Sequence, residues 1–207
     1  MKKATGKLAK VSGKNAKVDS KLLYDEWAND YDNDLINEYG YIAPKLTVDK
    51  FKALVLKKNL KIIDVGCGTG LVGQALYENG YKNIDGYDIS PEMLKIAKQS
   101  KFYKELKQID LNDKPTNLSE TYDVLICVGS FGYGALEPIA IRHLIGLVKS
   151  GGLLFIFMNA EPFKSQNYQK HISKLETQSL WSVNSIDDYN YMSKLDRPGK
   201  LIIATKN

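Results

Sequence analysis

Short apolar runs alternate along the middle of the chain with segments whose apolar residues recur at helical spacing. Runs rich in Val and Ile are typical of buried strands. Strands alternating with helices indicate an α/β fold with a parallel sheet covered on both faces. The pattern predicts seven strands, at residues 61–65, 84–87, 104–109, 122–128, 153–158, 179–183 and 201–205.

Helices are predicted between the strands and ahead of the first one. One begins at Ser20 and repeats apolar residues at three- and four-residue spacing until Gly40 ends it or closely follows its end. No crossover helix separates the last two strands, so these should pair antiparallel. The remaining helices are predicted at residues 44–56, 71–78, 138–149 and 168–175, and from Pro91 with Ser90 as its cap.

The chain of 207 residues is most simply one domain with a substantial core. Its net charge of +5 is uneven, because seven lysines and one acid lie within residues 1–21 and leave the rest close to neutral. We expect residues 1–19 to be a basic, disordered tail. Residues 20–207 should form a single domain with a helical cap at about 20–56. The near-neutral body indicates no nucleic-acid partner.

Several further classes are disfavoured by composition. No apolar run approaches the about 20 residues that span a bilayer, and residues 1–6 lack the apolar stretch of a secretory signal. Cys67 and Cys127 fit neither a disulfide framework nor a metal site. We therefore expect a cytoplasmic protein without a membrane partner or a bound metal, and the sequence leaves the oligomeric state open.

The strongest local signal is the glycine-rich loop after the 61–65 strand, where Asp64 is followed by Gly66, Gly68 and Gly70. Glycine lets the backbone turn sharply and approach a ligand closely. The helix that follows begins with free N–H groups, which suit an anionic ligand. The loop therefore predicts a binding site of nucleotide size.

A second interpretation of the same loop is a dinucleotide site. Residues 68–73 match G-x-G-x-x-G, and Asp88 lies twenty residues after the first glycine of that match. A nicotinamide-dependent oxidoreductase is therefore an alternative. The first glycine after the strand is Gly66, however, and a match counted from there fails at Leu71.

Residues 64–70, Asp-Val-Gly-Cys-Gly-Thr-Gly, resemble the first motif of class I S-adenosylmethionine-dependent methyltransferases. Their other motifs are resembled in order by Asp-Ile-Ser-Pro-Glu-Met at 88–93, Gln-Ile-Asp-Leu at 108–111, Tyr-Asp-Val-Leu at 122–125 and Leu-Val-Lys-Ser-Gly-Gly at 147–152. Tyr-Asp-Glu-Trp-Ala-Asn-Asp-Tyr-Asp at 24–32 resembles a methyltransferase-like subgroup that includes the vertebrate member from the Williams–Beuren syndrome region.

The resemblance implies a Rossmann-like, doubly wound, mostly parallel seven-stranded sheet with an antiparallel C-terminal strand. It implies S-adenosylmethionine as methyl donor and S-adenosylhomocysteine as product. Asp88 would bind the ribose hydroxyls, and Asp110 or Leu111 the adenine. Loop N–H groups near Gly66 would bind the methionine carboxylate, and Asp64 its ammonium. The implied cofactor-binding residues are Tyr24, Tyr31, Asp64, Gly66, Cys67, Gly68, Gly70, Asp88, Ile89, Met93, Asp110, Leu111, Cys127 and Val128.

Methyl transfer from a sulfonium is an in-line displacement, so positioning can supply most of the catalysis. The resemblance to the subgroup implies a small-molecule acceptor. No acid or asparagine followed by two prolines and an aromatic comes after the fourth strand, which argues against a nucleic-acid base and leaves a protein side chain or a lipid-like acceptor open. The catalytic group is not identified, and its candidates are Tyr31, Tyr133 and His143. A non-catalytic S-adenosylmethionine-binding protein is a further alternative. The substrate-binding candidates are Tyr41, Phe131, Tyr133 and Asn159.

Overall fold

The computed structural model describes residues 6–12, 20–113, 122–132 and 135–207. One sheet has the strand order β3-β2-β1-β4-β5-β7-β6, in which β7 runs antiparallel to both of its neighbours and the other pairs are parallel. The predicted fold class is confirmed. The strands are β1 (Ile62–Val65), β2 (Ile84–Asp88), β3 (Glu105–Gln108), β4 (Tyr122–Val128), β5 (Val148–Asn159), β6 (Trp181–Met192) and β7 (Arg197–Lys206).

Helices cover both faces of the sheet, and the first four helices precede its first strand in the chain. They are α1 (Gly6–Ser12), α2 (Ser20–Trp27), α3 (Tyr31–Asn33) with a π-helical turn (Asp34–Glu38), α4 (Ala43–Leu54), α5 (Leu71–Glu78), α6 (Pro91–Ser100), α7 (Ala140–Gly146), α8 (Ala160–Ser165) and α9 (Tyr168–Thr177). In the part of the chain that the structure describes, no helix is both long enough and apolar enough to span a membrane.

The central strands are buried on both faces, which explains their nearly continuous apolar sequence. Neighbouring residues of a strand point to opposite faces of the sheet. Ile62 therefore packs with Phe51 and Leu76 on one face, while Ile63 packs with Leu144 on the other. The sheet separates two apolar clusters, and the carboxyl ends of its strands remain available for a site.

The N-terminal segment is more ordered than its composition predicts, because residues 6–12 form α1. Leu8 is buried in the cluster that contains Trp27 and Leu35, and Lys7 forms an ion pair with Asp30 (3.0 Å). Contact with the body of the protein, rather than helical propensity, accounts for this order. Residues 1–5 and 13–19 of the predicted tail lie outside the described residues.

Several predicted element bounds were wrong. The first cap helix is interrupted by a turn at residues 28–30, and α8 was not predicted. Strand β6 extends to Met192, beyond the predicted 179–183, and β7 begins at Arg197, before the predicted 201–205. The polar residues of β6 hid its length, because β6 is the edge strand of the sheet and many of its side chains are exposed. The predicted antiparallel pairing of β6 and β7 is confirmed.

Candidate functional site

The glycine loop after β1 is fastened to the neighbouring strand by its own backbone. The N–H groups of Gly66 and Cys67 both donate to the Tyr87 carbonyl, at 2.7 and 3.0 Å. The Gly68 N–H donates to Asp88 Oδ2 at 2.7 Å. These three N–H groups already have partners within the fold, so the expected binding of a methionine carboxylate by the loop would need other donors or a shared hydrogen bond.

Asp88 ends β2 at the rim of an open cleft. Its Oδ2 accepts from Gly68 and its Oδ1 accepts from the Ser90 N–H at 2.9 Å. Burial raises the pKa of this carboxyl, and the backbone donors oppose that shift. An ionised carboxylate has about four acceptor positions, so Asp88 can still accept from a ligand beside its backbone donors. Asp88 is thus a rigidly held acceptor facing the cleft.

The cleft is open to solvent and spans about 750 Å³, solvent included, at the carboxyl ends of β1, β2 and β4. Strand order reverses between β1 and β4, which is where ligands bind in open α/β sheets. The predicted cofactor residues that line it are Tyr24, Tyr31, Gly66, Gly68, Asp88, Ile89, Met93, Asp110, Leu111 and Val128. Lining residues missed by sequence reasoning include Tyr87, Ile109, Asn112, Gly129 and Ser130.

The other predicted cofactor residues lie behind this surface. Cys67 and Cys127 are buried free thiols, and burial raises the pKa of both. Gly70 adopts a left-handed conformation (φ +107°) that starts α5, beside the Tyr103 ring. Asp64 is 1% exposed and does not line the cleft. These residues shape the loop from within.

Asp64 is held by Tyr103, which sequence reasoning missed. The Tyr103 hydroxyl donates to Asp64 Oδ2 at 2.6 Å and accepts from the Gly73 N–H at 3.2 Å. Asp64 Oδ1 is buried and has no partner among the described residues. Burial raises the pKa of Asp64 to about 7, and the Tyr103 bond opposes this rise. In the sequence, Tyr103 lies in the connection between α6 and β3, where no local motif marks it.

Asp64 should make stability depend on pH. The pKa of Asp64 is about 7 in the folded state, so the folded protein keeps this proton up to about pH 7, whereas the unfolded chain loses it near the ordinary value of 3.8. Between these values the folded state binds more protons, so this group lowers the free energy of unfolding as pH rises, by up to about 1.4 kcal/mol per pH unit. We expect Asp64→Asn to reduce that slope in urea unfolding between pH 5 and 8. A slope unchanged by the substitution would contradict this assignment.

Two hydrogen bonds tie the helical cap to the rim of the cleft. The Ser90 hydroxyl donates to Asp25 Oδ1 (2.5 Å), and the Thr69 hydroxyl donates to Asp32 Oδ1 (2.5 Å). These bonds join α2 to the start of α6 and α3 to the glycine loop. From the sequence, Asp25 is simply an acid within a predicted helix. Its tertiary partner could not be read from local spacing.

A second cavity, also open to solvent and spanning about 670 Å³ with that solvent included, adjoins the cleft. Tyr24, Tyr31, Gly129 and Ala135 line both spaces. The predicted substrate residues Tyr41, Phe131 and Asn159 line the second cavity. Tyr133 lies outside the described residues. Other lining residues, not predicted, are Leu8, Trp27, Leu35, Gly132, Phe157, Pro162, Tyr191, Met192 and Arg197.

The three catalytic candidates differ in their position relative to the cleft and the second cavity. Tyr31 lines both spaces, and burial raises its pKa well above the ordinary value, so it is protonated at neutral pH. His143 lies on α7, outside both spaces, with its Nδ1 3.0 Å from the Leu111 carbonyl oxygen. His143 thereby supports the backbone beside the cleft. Tyr133 is the third candidate and is not described.

A glycine loop after β1 beside a carboxylate at the end of β2 defines a nucleotide-binding α/β protein. Residues 56–199 match the family model for a methyltransferase domain. The chain therefore belongs to the methyltransferase family, and the resemblance stated above is confirmed. This membership gives no support to the oxidoreductase alternative.

Curated relatives agree with the family. Human methyltransferase-like protein 27 is 32% identical over 165 residues, which cover 77% of this chain and 66% of that protein. Ubiquinone biosynthesis O-methyltransferase of Coxiella burnetii is 26% identical over 117 residues, which cover 54% of this chain and 48% of that protein. The chain thus spans about two thirds of the first relative's length and about half of the second's.

Solved structures share the fold. Magnesium protoporphyrin IX methyltransferase from Synechocystis PCC 6803, crystallised with bound SAM, has a TM-score of 0.66 at 21% identity and covers 94% of this chain and 100% of its own. Coclaurine N-methyltransferase bound to N-methylheliamine and SAH has a TM-score of 0.58 at 12% identity, covering 79% and 72%. At these identities the likeness concerns the fold alone.

Proposed function

We propose that the protein transfers a methyl group from S-adenosylmethionine to a small molecule bound in the second cavity. The observation that carries the proposal is the pair of adjoining spaces, one rimmed by Asp88 and the other walled by aromatic rings. The names of relatives support it, since they include an enzyme of ubiquinone biosynthesis.

The residues of the cleft fit the donor. Gly68 has open space where a Cβ would lie, so a ligand can approach its backbone closely. Asp88 would accept from the ribose hydroxyls, and Asp110 and Leu111 would flank the adenine. Asp64, which does not line the cleft, would support the glycine loop through Tyr103 rather than touch the methionine half. When bound, S-adenosylmethionine supplies a methyl group already activated by its sulfonium.

The chain's own contribution is placement and exclusion of water. Burial raises the pKa of Tyr31 and of Tyr41 well above the ordinary value, so both act as hydrogen-bond donors at neutral pH. Among the described residues, neither space is lined by a histidine or a lysine. Catalysis would therefore depend on holding the acceptor atom in line with the methyl group rather than on a protein base.

Two measurements test this function. Calorimetric titration with S-adenosylhomocysteine should give saturable binding at one site, and titration with NADH should give none. Incubation with isotopically labelled S-adenosylmethionine and a metabolite extract should then yield a labelled small product by mass spectrometry. Binding of NADH alone would refute the proposal. Donor binding without any labelled product across extracts would favour a non-catalytic binding protein instead.

A further inference from the structure

The walls of the second cavity are built for a flat apolar ligand. Tyr41 and Tyr191 meet edge to face with ring centroids 5.8 Å apart, and Phe157 and Tyr191 do so at 5.2 Å. Tyr31 meets Trp27 in the same way at 4.8 Å. Aromatic rings favour another ring in stacked or edge-to-face contact. A planar, aromatic ligand makes the best use of these walls.

One charge distinguishes this cavity from a purely apolar one. Among the described residues that line it, Arg197 is the only charged side chain. Arg197 and Tyr191 line the same cavity, and the positive charge of Arg197 lowers the pKa of Tyr191 against the larger, opposite effect of burial. Arginine has five N–H donors in a planar fork that matches a carboxylate. It can bind an anion in addition to a partner within the protein.

The charge also argues against a cationic ligand. Aromatic walls on their own attract ammonium groups through their ring faces. Arg197 opposes this, because a second positive charge in the same partly desolvated space is repelled. The structural neighbours include an N-methyltransferase, and the curated relatives include an O-methyltransferase, so family and fold leave the acceptor atom open. The guanidinium among the described lining residues favours an anion as the second polar group of the acceptor.

The position of Arg197 separates the anionic group from the methylated one. Arg197 lines the second cavity but not the cleft, whereas Tyr24, Tyr31 and Gly129 line both. The reacting atom must lie at this shared boundary, next to the donor. A carboxylate held by Arg197 would lie away from it. The acceptor therefore needs two polar groups, one at each side of its ring.

We infer that the acceptor is an aromatic acid, whose carboxylate binds Arg197 and whose hydroxyl takes the methyl group at the boundary of the two spaces. This inference rests on the proposed function. The hydroxyl oxygen forms a bond to the methyl carbon while the carbon–sulfur bond breaks. The electron pair of that bond stays on sulfur as a thioether, and the hydroxyl proton passes to water.

The test compares matched probes on protein saturated with S-adenosylhomocysteine. Hydroxylated benzoates, cinnamates and naphthoates are titrated calorimetrically beside the carboxamides of the same rings and beside hydroxyphenethylamine. At least one acid should bind about tenfold or more tightly than its carboxamide, since a charge-assisted pair is lost in the amide. Equal affinity of every acid and its amide, tightest binding of the amine, or no binding by any acid would each overturn the inference.

Variants locate the preference at Arg197. Arg197→Gln should abolish the preference for acid over amide while leaving the affinity for S-adenosylhomocysteine unchanged, and Arg197→Lys should keep part of it. Arg142→Gln is the matched control, because this other arginine is exposed on α7 and donates to Gln178. An acid preference that survives in Arg197→Gln would overturn the assignment.

The outcomes also separate this inference from the proposed function. Failure of S-adenosylhomocysteine to bind would refute the donor site, and the acid preference would still be measured on protein without it. Donor binding with no acid preference would refute the acceptor class alone.

Discussion

Replacing Asp88 with alanine is expected to weaken binding of S-adenosylhomocysteine about tenfold to a hundredfold. Hydrogen bonds to a charged group contribute about 1.5–3 kcal/mol, which corresponds to that range of affinity. Asp88 is also the acceptor for the Gly68 and Ser90 N–H groups, so the variant loses both the ligand bonds and part of the preorganisation of the loop. Calorimetric titration of wild type and variant measures the effect directly.

Asp88→Asn separates the two contributions. The amide keeps one acceptor oxygen for the loop but loses the charge, so its loss of affinity should be smaller than that of Asp88→Ala. Asp110→Asn is a second comparison, because Asp110 lines the cleft but is exposed. An Asp88→Ala protein that folds normally and binds S-adenosylhomocysteine like wild type would contradict the role given to this carboxylate.

Replacing Gly66 with alanine should lower the free energy of unfolding by about 2–5 kcal/mol. Gly66 has a left-handed backbone (φ +67°), which costs other residues about 1–2 kcal/mol. Its new Cβ would also lie 1.9 Å from the Ser130 Oγ and 2.6 Å from the Ser130 Cβ. Such overpacking typically costs about 1–3 kcal/mol. Urea unfolding measures the change.

Gly68→Ala is the matched variant for this prediction. Gly68 is also left-handed (φ +53°), but no described atom lies within 4 Å of the position of its Cβ. It should lose only the backbone cost in stability, while its methyl group protrudes into the cleft and weakens S-adenosylhomocysteine binding. Ser130→Gly should restore part of the stability of Gly66→Ala by removing the clash. Equal losses in the two alanine variants, with no rescue, would contradict this explanation.

The positions of the central strands were largely predictable, because local patterns of apolar residues carry them. Runs such as residues 122–128 are apolar on both faces, which is possible only in a covered parallel sheet. The Gly66–Gly70 loop and Asp88 follow strand ends, and the carboxyl ends of parallel strands meet at one edge. The sequence pattern therefore predicted most of the described residues that line the cleft.

The contacts within the site depend on distant parts of the chain. Tyr103 reaches Asp64 across 39 positions, and Thr69 reaches Asp32 across 37. No periodicity or spacing encodes such pairs. The N–H groups of Gly66 and Cys67 are likewise used inside the fold, because both donate to the Tyr87 carbonyl on the neighbouring strand.

The amino-acid pattern was sufficient for the sheet, the glycine loop and the carboxylate at the end of β2, because each arises from neighbours in sequence. Packing in three dimensions decided the burial of Asp64, the helix at Gly6–Ser12 and the placement of Arg197 in an aromatic cavity. Burial and charge at a site are sums over side chains that are remote in sequence. The cleft was therefore predictable from motifs, whereas the character of the second cavity emerged only from the folded chain.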